Sequence, residues 1–177
     1  MERLAVSTDV LVPRREVFDF LVDFPGYARY SEYLERVERR GDGSEGTTYA
    51  VTVAWWRLTH TVTSRVVDAE PPERIDWRLL GPLAAEGAWL IDAVDDPELP
   101  ETVTADDGAA SRVTLVVRYD PTTVDAGHLD LPMVLSLDGL IDRVTPLVED
   151  EAERIVERIV ADLEGGARPV VLRVETD

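Results

Sequence analysis

The sequence predicts an α+β domain in which a curved antiparallel sheet of about six to seven strands wraps a long C-terminal helix, with two short helices after the first strand. Three observations predict it. The centre of the chain is a run of alternating, β-branched segments broken at Glu70-Pro71-Pro72-Glu73 and Gly81-Pro82. One long apolar stripe follows at helical spacing, from Leu137 to Leu163. Between the first strand and the sheet, Pro13 opens a short amphipathic segment.

Taken in order, Leu4 to Val12 alternates polar and apolar residues and reads as a strand, which Pro13 stops. Val17, Phe18, Leu21 and Val22 then recur at helical spacing over Arg14 to Phe24, and Pro25-Gly26 closes that helix. Tyr27, Tyr30, Tyr33 and Leu34 suggest one further helical turn with an aromatic face. A strand runs from Leu34 to the turn Gly41-Asp42-Gly43. Thr47 to Ala69 is too long for one strand, so a reversal is expected near Ala54 to Leu58, with Trp55 and Trp56 at its tip. Strands follow over Arg74 to Leu80, Ala85 to Val94 and Arg112 to Asp120. The acidic stretch from Asp95 to Gly108 lacks the ligand spacing of a calcium loop and reads as a solvated connection.

The last large element runs from Pro132 or Ser136 to Leu163. It carries Leu137, Leu140, Ile141, Val144, Val148, Ala152, Ile155 and Ile159 on one stripe, with Pro146 expected to kink it and Gly165-Gly166 to end it. A single domain over residues 1–164 is expected, and the tail 165–177 has strand-like content.

Composition narrows the function. The chain has 36 acidic and 18 basic residues, a net charge of −18, and every basic residue is arginine. That balance suits a surface adapted to high salt, where screening is short-ranged, and it argues against nucleic acid, which needs a concentrated cationic face. Without cysteine, disulfides, thiol nucleophiles and thiolate metal sites are excluded. His60 and His128 stand far apart with no carboxylate at metal spacing, so no metal and no cofactor are expected. There is neither a basic-then-apolar leader nor an 18-residue apolar run, so the expected location is the cytoplasm.

Several segments resemble the START-like (SRPBCC, helix-grip) superfamily, in its polyketide cyclase/dehydrase, lipid-transport and coenzyme-Q-binding branch. They are Pro13-Arg14-Arg15-Glu16-Val17-Phe18, Phe24-Pro25-Gly26-Tyr27, Arg65 to Ile75, Gly87-Ala88-Trp89-Leu90-Ile91 and Ser111 to Leu115. The resemblance covers Leu4 to Glu164 and rests on packing motifs. It implies a helix-grip fold and a cavity between sheet and C-terminal helix that holds a lipid, isoprenoid quinone or polyketide-like compound.

Strand alternation supplies a candidate lining: Tyr49, Val51 and Val53; His60 and Val62; Ile75, Trp77 and Leu79; Trp89 and Ile91; Val113, Leu115, Val117 and Tyr119. Leu137, Leu140, Ile141, Val144 and Val148 complete it from the helix. Three functions fit. The first is a carrier of a small hydrophobic ligand, with a weak homodimer as the further association considered. The second is a cyclase, aromatase or dehydratase whose acid or base would come from His60, Tyr49 or Tyr119, with Asp92 and Glu86 on the opposite face. The third is an interaction module docking through Trp55 and Trp56.

Overall fold

The computed structural model describes residues 2–23, 29–55, 58–81, 84–105, 108–120 and 153–176. Eight strands form one antiparallel sheet: β1 (Glu2–Val10), β2 (Leu34–Arg40), β3 (Thr48–Trp55), β4 (Leu58–Glu70), β5 (Arg74–Leu80), β6 (Ala85–Val94), β7 (Ala110–Tyr119) and β8 (Arg173–Thr176). Their order is β2-β3-β4-β5-β6-β7-β1-β8. The strand count exceeds the expected six to seven because β8 adds to the free side of β1, with Leu4 opposite Thr176 and Ser7 opposite Arg173.

The reversal expected between Ala54 and Leu58 is present, with Trp55 opposite Leu58. Residues 56–57 lie outside the described set, so the docking idea built on Trp56 does too. Register within β4 shifts between Val66 and Asp68, a bulge that leaves Val67 exposed and lets the thirteen-residue strand bend. Bending is what makes one face of the sheet concave.

Among the described residues, two helices pack on that face. The first, α1 (Arg14–Val22), starts after Pro13 and buries Val17, Phe18 and Leu21, as the spacing requires. Residues 153–164 are helical (α2), with Val160 wholly buried, and end at Gly165 in the left-handed region at φ +78°. The further helical turn expected from Tyr27 to Leu34 is not a helix where it is described: residues 30–33 are turn and irregular backbone, and Leu34 opens β2. Tyr27 lies outside the described residues, as do residues 121–152, which include Leu137, Leu140, Ile141, Val144, Pro146 and Val148.

Polar clamps seat α2. Glu164, at its C-terminal end, accepts the Leu11 backbone N–H at 2.8 Å and pairs with Arg168 through two bonds of 2.7 Å. Arg168 in turn donates to the Asp9 carbonyl at 3.0 Å. One turn earlier, Tyr30 donates its buried hydroxyl to Asp162 at 2.5 Å and accepts from Arg29 at 2.6 Å, while Arg158 donates to the Tyr30 carbonyl. Burial first, and donation to the Asp162 carboxylate second, hold the Tyr30 phenol above its usual range, so it stays a donor at neutral pH.

Asp162 is half exposed and can recover water, so Tyr30→Phe is expected to cost about 1 kcal/mol. Thermal unfolding followed by circular dichroism should show a melting temperature lower by a few degrees. An unchanged midpoint would show that this clamp adds nothing.

Candidate functional site

Strand pairing puts alternating side chains on the concave face in rows across the sheet. One row runs Val66, Trp77, Gly87, Val117; the next runs Ile75, Trp89, Leu115, Val6. Gly87 has a particular reason to lack a side chain. A Cβ there would sit 2.5 Å from Trp77 Cζ2 and 2.2 Å from the Val116 carbonyl oxygen. The indole of Trp77 therefore lies over the glycine, in space that any other residue would fill.

Above these rows lie two apolar cavities. The first, of about 380 Å³, is walled by Tyr49, Val51 and Val53 of β3, Val62, Ser64 and Val66 of β4, and Ile75, Trp77 and Leu79 of β5. Trp89, Leu115 and Val117 extend the wall, and Leu21 and Gly43 add to it. The second, of about 330 Å³, lies between β1, β6 and β7 below and α1 and α2 above. Its wall includes Val6, Thr8 and Val10 from β1 and Ile155, Val156, Ile159 and Leu163 from α2. Each volume falls within the range typical of small-molecule sites, roughly 300–1,000 Å³.

Among the described residues, neither wall contains an ionisable carboxylate, guanidinium or imidazole. The Tyr49 hydroxyl donates to the Val22 carbonyl at 3.0 Å, and burial pushes its phenol above the usual range, so it remains neutral. Two polar atoms of the wall residues, Trp77 Nε1 and Thr8 Oγ1, are buried without a hydrogen-bond partner. Such orphans cost of order 1–3 kcal/mol each. Among the described residues no cluster of three or more His, Asp or Glu side chains could hold a metal ion, and no helix is long and apolar enough to cross a membrane.

Of the strand residues expected in the lining, Tyr49, Val51, Val53, Val62, Ile75, Trp77, Leu79, Trp89, Leu115 and Val117 are at the first cavity, and Val113 is at the second. Three are elsewhere. His60 sits opposite the wall residue Val53, on the concave face by register, but it is exposed and is not part of the wall. Ile91 is 1% exposed and belongs to the solid core, one row past Trp89. Tyr119 donates its hydroxyl to Glu2 at 2.6 Å at the exposed end of β7. Glu86 and Asp92 are exposed on the other face, as alternation requires.

With a helix-gripped concave sheet and an apolar interior established, comparison with known proteins decides the family. Residues 1–164 match the family model described as polyketide cyclase / dehydrase and lipid transport. The chain belongs to that family. Structural neighbours agree on the fold of this family member. The Zhui aromatase/cyclase from Streptomyces sp. R1128 superposes with a TM-score of 0.62 at 19% identity, covering 93% of this chain and 94% of that one. For the protein TTHA0849 from Thermus thermophilus the values are 0.60, 14%, 92% and 97%. For Ara h 8.0201 they are 0.57, 16%, 93% and 98%. No curated protein matches the sequence.

Sequence reasoning missed part of this family member's wall. Ser64 and Val66 follow from Val62 by the same alternation, and Val6, Thr8 and Val10 follow from the assignment of β1 as a strand. Leu21 and Gly43 carry no such signal, because they reach the cavity from a helix and a turn. Gly43 is held at φ +98°, and a Cβ there would meet Val22 Cγ1 at 2.1 Å.

Proposed function

We propose that the protein binds and carries a small hydrophobic molecule of lipid, isoprenoid or polyketide-like character in these cavities. The observation that carries the reading is the first cavity: about 380 Å³ with no ionised group among the described residues of its wall, in a chain of which 31% is charged. Burying an apolar ligand there would return roughly 25 cal/mol for each Å² removed from water. The unpartnered indole N–H of Trp77 and hydroxyl of Thr8 favour a ligand bearing at least one oxygen acceptor, reached by small side-chain rotations. Family membership supports the same class of ligand.

The alternative is cyclase, aromatase or dehydratase chemistry, which the Zhui aromatase/cyclase brings forward. It needs an acid or base at the reacting carbon. Among the described wall residues, Tyr49 alone has a titratable side chain, and its proton is committed to the Val22 carbonyl. Carriage asks for nothing beyond what the walls already offer.

The test is titration with 1-anilinonaphthalene-8-sulfonate, whose emission rises in apolar surroundings. Val62→Phe pushes a ring into the first cavity, and probe affinity is expected to fall at least about tenfold, a change of 1.4 kcal/mol. Retained affinity in a variant whose unfolding midpoint is unchanged would defeat the carrier reading of this cavity. Turnover of a polyketide-like ketone, abolished by Tyr49→Phe, would favour the alternative.

A further inference from the structure

The two cavities are separated by a partition one residue thick. Leu21, Trp89 and Leu115 belong to both walls. Trp89 and Leu115 are cross-strand partners in the centre of the sheet. Leu21 comes from the last turn of α1, directly over them. Trp89 and Leu115 are partly exposed, which at this depth means that they face empty space on two sides. Together the three form a waist between two apolar chambers. None of the three side chains is charged, and all pivot about side-chain bonds with a few staggered states.

Resting on the carrier reading above, we propose that the two chambers hold one ligand, an extended flexible apolar chain that threads the waist over Trp89 with one end in each chamber. Each chamber alone is at the lower limit of small-molecule sites, whereas the pair falls in the middle of that range. The orphan polar atoms support the same arrangement. Trp77 belongs to the wall of the first chamber and Thr8 to that of the second, so each end of a chain lies beside one residue whose buried Nε1 or Oγ1, once rotated toward the chamber, meets an oxygen. A compact ring system confined to one chamber would leave the other empty and its orphan unmet. Trp89, at the waist, becomes the residue that selects long and slender ligands over short and bulky ones.

The test uses 1-octanol and 1-hexadecanol as competitors of the fluorescent probe, with one plug per chamber: Val62→Phe in the first and Val156→Phe in the second. A spanning ligand predicts that 1-hexadecanol binds one per chain and loses at least about tenfold in affinity with either plug. Octanol should lose less than about threefold with either, because it retreats to the open chamber. If hexadecanol responds to one plug alone, or binds no better than octanol to the unsubstituted protein, the spanning ligand is wrong while the carrier reading stands. If neither alcohol nor the probe binds the unsubstituted protein, both fall. Unfolding midpoints of the two variants verify that each still folds.

Discussion

Asp9→Ala is expected to lower stability by about 3 kcal/mol, the low end of the cost of removing one partner from a buried ion pair. The Asp9 side chain is fully buried, yet it lies in a strand of alternating residues with no local partner. Its carboxylate accepts two bonds from Arg112, at 2.8 and 2.9 Å, and a third from the Glu98 backbone N–H at 2.7 Å. Arg173 of β8 lies 3.6 Å away and also bonds Glu98. One carboxylate thus ties together β1, β7, β8 and the acidic connection after β6. Arg112 and Arg173 are partly exposed and can turn to water once Asp9 is gone, which is why the upper end of the range is not expected. A chain of this size should lose roughly 6–12 °C in melting temperature.

The pH dependence has a definite sign. Burial alone would raise the Asp9 pKa, but the Arg112 and Glu98 hydrogen bonds and the charges of Arg112 and Arg173 outweigh it and hold the carboxyl below its usual range. A carboxyl depressed in the folded state contributes stability that is complete above the unfolded pKa of about 3.9 and drains as pH falls toward the folded value. Denaturant midpoints should therefore fall more steeply below about pH 4 for the unsubstituted protein than for Asp9→Asn. Parallel pH profiles would show that Asp9 is not held ionised by its partners.

The second large effect is expected at Gly87. Glycine to alanine inside a strand ordinarily stabilises, because glycine has more backbone freedom to lose. Here the sign should reverse. The new Cβ would collide with the backbone carbonyl of Val116, which the β6-β7 ladder holds, and with the Trp77 ring. Overpacking of this kind costs about 1–3 kcal/mol. The ring is the softer neighbour and can move only toward the first chamber, so probe affinity should drop together with stability. A neutral or stabilising Gly87→Ala would contradict the close stacking of Trp77 on that glycine.

The sheet was legible in the sequence wherever alternation was strong. Tyr49-Val51-Val53 and Trp77-Leu79 state their own face, and the paired register of β3 through β7 keeps them on it. His60 shows the limit of that logic. Parity gives the face of a residue but not its burial: His60 stands beside the wall residue Val53 and yet is exposed. Ile91 shows the complementary limit, since the same face becomes solid core where α1 closes on it. The Asp9 cluster was not legible at all, because its partners stand 89 and 103 residues away and no local pattern marks them. Nor was β8 placed, as four strand-like residues do not name their neighbour.

The central claim is that the concave face encloses apolar space that a hydrophobic molecule fills. Native mass spectrometry of protein purified without organic solvent tests it most directly, before and after addition of 1-hexadecanol. The account predicts a single bound species per chain, either co-purified or added, that is removed by organic extraction and lost in the Val62→Phe variant. A bare chain mass that no amount of the alcohol changes, in protein that unfolds cooperatively, would contradict it.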